Sequence, residues 1–541
     1  MKKLIPILPF LFLFIFLPDF LKGKIPSIPV LVVAVILTGI FAIWLRRVVP
    51  GFTGKGKNRE ANSQPGRIWL KLSIIIVIYI LAFSSLTIIK YNVYSYSGRD
   101  ATFYSQALWS ALNGKFFYCT IKASEGVSSQ MFDHIEPIMF FMVPFYALLP
   151  SSITIFLLRT VLLSLGAFPL FLIAREKLGV RLALIIAGIY LLHPNFMGQN
   201  FIDPVPMHFL PFFFFFSFYY FIKKRIIPFL IWFILTMSLR IDLAPMVFMF
   251  AILAVLEKRK WIWILMPAFL SITWAYVGLK LISPIFTEGK MGFHQIVKYS
   301  SFGATPIEIL KNMLADPGEI VKYLWDPVKI KIILITALPF FIILGINREI
   351  IFALPHLLGL LLLPPAHKGI TDFQVYTHDL YYLMPIVCAF FLGFIRNLSY
   401  LKTKIKGGNW IVRSIVICSL LFTSLYALRS ELGNKDVMRT VFASSNTDTP
   451  CAVITEAIKQ IPNGKNVLGP LYIIHHLSRS RELASAPGQL PGGNYDYIII
   501  DRKTTNWYCR SLYKQEYFQN LPKNSDYKPI YSKSGFIIYG R

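Results

Sequence analysis

Long apolar runs separated by short polar joints dominate this chain. They occupy roughly residues 4–20, 29–45, 69–89, 152–174, 180–194, 207–222, 226–240, 243–256, 261–282, 331–346, 349–364, 380–396 and 410–428. A helix needs about 20 apolar residues to cross the hydrocarbon core of a bilayer. The pattern therefore predicts an all-α polytopic membrane bundle of about 13 transmembrane helices. Several runs are near fifteen residues, so their ends are soft and two would suit re-entrant segments.

The joints sort by charge. "RRVVPGFTGKGKNRE" (46–60), "REKLGVR" (175–181), "KKR" (223–225), "EKRK" (257–260) and "RNLSYLKTKIKGG" (396–408) are basic. Lys and Arg concentrate in cytoplasmic loops, which places these joints and the N-terminus inside. The segments 90–151, 195–206, 283–330, 365–379 and the tail from about 430 then fall outside. "IMFFMVPFYALLP" (138–150) is apolar but short and carries Pro144. Counting it as a crossing would invert every later joint, so an outer interfacial or dipping helix is expected there. "MKKLIPILPFLFLFIFLP" resembles a signal peptide. It lacks a small-residue cleavage site and runs into a second apolar stretch, so a retained helix is expected.

Composition supports the membrane reading. Charged residues are 15% of the chain and hydrophobic residues 55%, whereas soluble domains carry about 25% charged residues. The net charge of +28 could serve nucleic acid, but in a multi-pass plasma-membrane protein it orients the loops and meets anionic lipid. Nucleic acid is not an expected partner; membrane lipid is. From about 430 onward the composition turns polar, with short β-like runs at 466–472, 495–501 and 535–539 and a hairpin around Lys533-Ser534-Gly535. Four regions follow: a two-helix extension (1–50), a basic linker (51–68), a transmembrane domain (69–429) with first outer loop 90–151, and a small extracytoplasmic α/β domain (430–541). Cys388 and Cys418 read as core residues; Cys451 and Cys509 could be paired or free.

The chemistry-bearing residues gather on the outer side. After Gly98, Asp100 can cap a helix whose apolar positions Phe103, Ala107, Leu108 and Ala111 recur at helical spacing, on the membrane surface. "FDHIEP" supplies Asp133, His134 and Glu136. "FIDPVPMH" supplies Asp203 and His208. "LRID" supplies Arg240 and Asp242 at a tight joint, where they could instead form an ion pair that staples the turn, and "HKGITDFQVYTHD" supplies Lys368 and His378. An ionised Asp deep in a bilayer costs about 2.5–3.5 kcal/mol on insertion scales, so acids kept at span ends imply one outer polar cavity. The ligand types around His134 would suit a divalent metal, yet the spacing matches no standard motif, and a donor to phosphate or a sugar hydroxyl fits equally. No other cofactor is called for.

The runs "YSGRDATFYSQALW", "FDHIEPIMFFMVPFYALLP", "LLSLGAFPLFLIAREKLG", "FIDPVPMHFLPFFFFFSFYYFIKKR", "SLRIDLAP", "THDLYYLMPIV" and "IPNGKNVLGPLYIIHHLSRSRELASAPG" stand in an order that resembles the family of membrane proteins designated domain of unknown function 2079. The resemblance covers about residues 69–541. Family members more often carry His-Pro-Glu at "FIDPVPMH" and Lys-Glu-Asp at "LRID". That family is in turn similar to multi-span glycosyltransferases of the GT-C fold, which carry a carboxylate in the first outer loop. The resemblance implies sugar transfer from a polyprenyl-phosphate donor at the cell envelope. Asp100 would be the catalytic carboxylate, with Asp133 second. Arg240 and Lys368, then Arg99, would hold the phosphate, and His134, Glu136, Asp203, His208, Asp242 and His378 would line the substrate site. The alternative classes are a transporter or flippase for a lipid-linked or anionic solute, and a non-catalytic scaffold. Against the transporter stand the lack of a clear repeat and the position of the acids at span ends.

Overall fold

The computed structural model describes residues 65–121, 129, 134–282, 299, 302–303, 306–340, 347–363, 381–428, 435–490, 494–523 and 526–541. The two N-terminal runs, Asp133, Lys368 and His378 lie outside these.

Helix α1, Pro65–Asn92, opens the described bundle. Proline at its first position gives up no hydrogen bond, and Lys90 in its last turn suits the negative helix end. The chain leaves it through Tyr94 at φ 56° and re-enters helix after Gly98 at φ 79°. Helix α2, Arg99–Leu112, follows. Helix α3, Met139–Leu148, is ten residues long with Pro144 inside it. At about 1.5 Å per residue it is far too short to cross a bilayer.

Every apolar run from residue 69 onward meets a helix, but few of these helices have full spanning length. Five described helices are long and apolar enough to cross: Arg67–Asn92, Ser152–Leu178, Ile262–Ile282, Tyr381–Lys404 and Gly408–Tyr426. A sixth arises if Val180–Leu191 and Pro194–Phe201, bent by 47°, form one span. Pro206–Ile222, Ile226–Met237 and Ile241–Leu256 are apolar but shorter. Of the thirteen expected runs, two lie outside the described residues, and among the described ones five or six have full spanning length. Several of these helices begin in 3-10 turns followed by proline. The turns Pro206–Phe209, Ile241–Leu243 and Tyr381–Leu383 lead into Leu210-Pro211, Ala244-Pro245 and Met384-Pro385. Proline is tolerated in a first helical turn because the amide there has no helical partner.

The core is aromatic. Phe214, Phe218, Phe221, Phe229, Phe250 and Phe352 are buried in one cluster, with Phe250 and Phe352 rings 4.7 Å apart. At one end of the bundle the basic joints meet each other. Lys223 pairs with Glu176 at 2.8 Å, Arg348 with Glu257 at 3.0 Å, and Arg396 with Glu349 at 3.7 Å. At the other end the acidic joints meet: the Ile138 amide donates to the Ser238 carbonyl at 3.0 Å and the Tyr96 hydroxyl to the Asn200 carbonyl at 2.9 Å.

The C-terminal residues form a five-stranded sheet. Strands β1 (Asn466–Leu468), β2 (Glu482–Ala484), β3 (Tyr497–Asp501), β4 (Lys528–Lys533) and β5 (Phe536–Gly540) stand in the order β2-β1-β3-β5-β4. The first three are parallel, and β5 runs antiparallel to β3 and β4. Alternation puts Ile499, Phe536 and Ile538 in one buried cluster and Ile498, Ile500, Ile537 and Tyr539 in another, as a sheet covered on both faces requires. Ser534 at φ 54° and Gly535 at φ 85° make the two-residue turn between β4 and β5. Cys451 and Cys509 are free thiols.

This unit shares a core with the first loop. Tyr94, Phe103, Cys119 and Ile121 pack in the same cluster as Ile454, Ile473 and Ile499. The Asn446 side-chain amide donates to the Tyr94 and Tyr96 carbonyls at 2.9 and 3.0 Å. Thr120 accepts from the Leu483 amide at 3.0 Å and donates to its carbonyl at 2.6 Å. Helix α2 is thus not a surface helix with an open polar face. Thr102, Ser105 and Gln106 are buried, and the Gln106 amide donates to Thr120 at 2.9 Å.

Gly98 sits at the seam. A Cβ there would lie 2.2 Å from the Leu471 carbonyl oxygen, at a positive φ that side chains resist. Gly98→Ala should cost about 1 kcal/mol or more and lower the thermal midpoint in detergent. An unchanged midpoint would contradict this packing.

Candidate functional site

The cap of α2 comes from far away in sequence. Asp203 follows the broken helix that ends at Phe201. Its carboxylate accepts from the Ser97 hydroxyl at 2.8 Å and from the Gly98 and Asp100 amides at 3.2 Å each. A carboxylate at a helix N-terminus satisfies orphan amides and suits the dipole. Asp100, expected to cap the helix itself, instead occupies its first turn, half-buried.

Behind this cap lies a buried cationic network. Arg159, wholly buried inside Ser152–Leu178, donates to the Ile202 carbonyl at 2.5 Å, the Asn200 carbonyl at 3.0 Å and Thr87 at 3.2 Å. Lys90 donates to the Thr440 hydroxyl at 3.0 Å. The Asn200 side-chain amide donates to the Tyr79 hydroxyl of α1 at 3.0 Å, so the end of the bent Val180–Phe201 segment is held by side chains from two neighbouring helices.

The rim around Asp100 draws on four segments. The Tyr104 hydroxyl, one turn along α2, donates to the buried Glu136 carboxylate at 2.9 Å. Asp100 lies within electrostatic reach of Tyr104 and, across the rim, of Tyr381. Arg240 binds Asp242 through two hydrogen bonds, Nε to Oδ1 at 2.7 Å and Nη2 to Oδ2 at 2.5 Å. The Arg240 guanidinium also lies 4.7 Å from the Tyr382 ring centre and 5.5 Å from that of Tyr381. The His134 carbonyl accepts from the Ile241 amide at 3.4 Å, joining the first loop to this joint.

Asp100, His134, Glu136, Arg240 and Asp242 thus come together. Asp203 and His208 are engaged within the protein. The His208 ring accepts from the Val205 amide at 3.0 Å and contacts Gln199 at 2.8 Å, and it is fully buried. Arg99 is exposed at the start of α2. Among the described residues, no group of three His, Cys, Asp or Glu side chains could hold a metal ion. Lys90, Arg159 and His356 were not singled out in the sequence. Their signal was available: Arg159 and His356 are ionisable residues inside apolar runs, and Lys90 stands at the end of one.

The rim is built from the same stretches whose order carried the family resemblance. Residues 90–538 match the family described as "Predicted membrane protein (DUF2079)". The chain belongs to this family. No curated protein matches it. Among solved structures it is similar to ArnT from Cupriavidus metallidurans bound to undecaprenyl phosphate, at 10% identity and TM-score 0.48, over 86% of this chain and 97% of that one. It is also similar to the apo Archaeoglobus fulgidus oligosaccharyltransferase, at 12% identity and TM-score 0.39, over 87% of this chain and 74% of that one. Likeness at this level fixes no residue's role. The protein is a membrane protein of this family, mostly helical, with a small sheet near its C-terminus.

Replacing the cap tests the site's foundation. Asp203→Ala should cost about 1–2 kcal/mol of local stability and speed hydrogen exchange of the amides at Gly98 and Asp100. Unchanged exchange would show that the cap does not hold α2.

Proposed function

We propose that this protein transfers a sugar from a polyprenyl-phosphate donor to an acceptor hydroxyl on the outer face of the plasma membrane. Asp100 is the general base. The observation that supports this reading is the position of Asp100, in the first turn of a helix pinned by Asp203 and within electrostatic reach of Tyr104 and Tyr381. A base must lie within hydrogen-bond reach of the proton that it removes, and a pinned helix start supplies a fixed location for it.

The chemistry balances simply. The acceptor oxygen attacks the anomeric carbon as Asp100 takes its proton. The bond from that carbon to the phosphate oxygen breaks, and configuration inverts. The lipid phosphate departs as an anion, so no acid is needed on the leaving group; glycosidases need one for an alkoxide. A cation near the phosphate supplies electrostatic stabilisation. Arg99, exposed beside Asp100, takes this role, with Lys368 a further candidate. Arg240, expected there from the sequence, is already engaged by Asp242.

Orientation follows from charge. The basic joints at 175–181, 223–225, 257–260 and 396–408 face the cytoplasm; the Asp100 rim and the C-terminal sheet face outward. A broken helix at Val180–Phe201 is a feature that transporters share. Here its Asn200 and Ile202 carbonyls accept from Arg159, which favours a structural bend over an ion path.

Asp100→Asn should reduce sugar incorporation from a labelled polyprenyl-phosphate donor by at least about 100-fold, with expression and thermal midpoint near wild type. Wild-type transfer by this variant would overturn the assignment.

A further inference from the structure

The Arg240–Asp242 pair presents the wrong sign for a phosphate. Arg240 is 3% exposed and Asp242 31% exposed, so the open side of the pair is its carboxylate. The guanidinium has its charge matched by a bidentate partner and lies against the rings of Tyr381 and Tyr382. A phosphate arriving here would meet a like charge first. A hydroxyl group would meet a hydrogen-bond acceptor.

A second group stands beside the pair. His356 lies in the helix Leu354–Leu361, which packs against Ala244–Leu256 and Met384–Lys404, the two helices that begin just after Asp242 and Tyr382. Its imidazole lies within electrostatic reach of both Asp242 and Arg240. Both of its ring nitrogens are buried, and among the described residues neither has a hydrogen-bond partner. Buried polar atoms in folded proteins are almost always paired, and an unpaired ionisable group inside a membrane bundle marks a functional position. One turn further along, the Gly359 carbonyl accepts from the Tyr299 hydroxyl at 3.1 Å. Tyr299 in turn feels the charge of Asp242.

These groups share one chemistry. An open carboxylate accepts from hydroxyls, an imidazole offers one donor and one acceptor, and the half-buried tyrosine rings offer the apolar surface that the Arg240 guanidinium leaves uncovered. Together they match a neutral, polyhydroxylated ring that is apolar on its faces and polar at its edge. We propose that Asp242, His356, Tyr381 and Tyr382 form the pocket for the donor's sugar ring, and that the phosphate lies elsewhere, toward Arg99. This rests on the glycosyl-transfer reading and adds which part of the substrate each side of the rim holds.

The test compares two lipids on the purified full-length protein in nanodiscs. One is bare C55 polyprenyl phosphate; the other is the same lipid carrying glucose, mannose or N-acetylglucosamine. Wild type should bind at least one glycosylated lipid more tightly than the bare phosphate. His356→Ala should erase that preference, a loss of about tenfold, and leave bare-phosphate binding unchanged. His356→Gln keeps a donor and an acceptor at similar size and should retain a measurable part of the preference, which separates lost contact from lost fold. Equal weakening of both lipids by His356→Ala would make His356 a phosphate or structural residue and overturn the inference. So would an unaltered preference, or a wild type that favours none of the three sugars. A wild type that binds no polyprenyl phosphate at all would overturn the glycosyl-transfer reading itself.

Discussion

The carboxylate of Asp203 is the contact on which the rest of the site depends. It joins the end of a bent helix to the start of α2, and its acceptors are filled by Ser97, Gly98 and Asp100. A buried carboxylate is costly unless it is paired or hydrogen-bonded. Here the donors belong to the segment that has to be placed. Gly98 then fits where no side chain would, against the Leu471 carbonyl. The C-terminal unit is therefore part of what holds Asp100 in place, through Gly98, Asn446 and Thr120.

The helix starts have a related consequence. A helix that begins in a 3-10 turn with proline behind it brings tight backbone to the end of the bundle. His208, Asp242 and Tyr381 all lie in such turns. The rim is made of joints more than of loops, and joints between packed helices hold side chains in place. That suits a site whose groups must stay within hydrogen-bond distance of one another.

Much of this was legible in sequence. The apolar runs located the helices, the basic joints predicted which ends meet, and "FDHIEP", "LRID" and "LYYLMP" each contribute to the rim. The run 138–150, expected from its brevity and Pro144 to be an interfacial or dipping helix, meets a ten-residue helix with that proline inside it. Other features were hidden for physical reasons. Asp203 reads as a candidate ligand because nothing local shows that its partners lie about a hundred residues earlier. Arg240 reads in sequence either as a phosphate cation or as half of an ion pair with Asp242, and only the folded chain shows that Asp242 takes the Nε–Nη2 edge of the guanidinium. The polar face of α2 reads as wetted because the unit that covers it comes from the far end of the chain. The strand at Glu482–Ala484 is three residues long, too short for its pattern to stand out. The hairpin at Ser534-Gly535 was visible because a two-residue turn is a local device.

The proposed orientation puts the helix of Asp100 and the C-terminal unit on one face of the membrane, opposite the basic joints. Single cysteines at Asn113, Gln519 and Lys404, all exposed positions, in a chain with its five native cysteines replaced, test this with a membrane-impermeant maleimide on intact cells. The account predicts labelling at 113 and 519 without permeabilisation and at 404 only after it. Labelling of 113 and 519 from opposite sides, or of 404 together with 113, would contradict it.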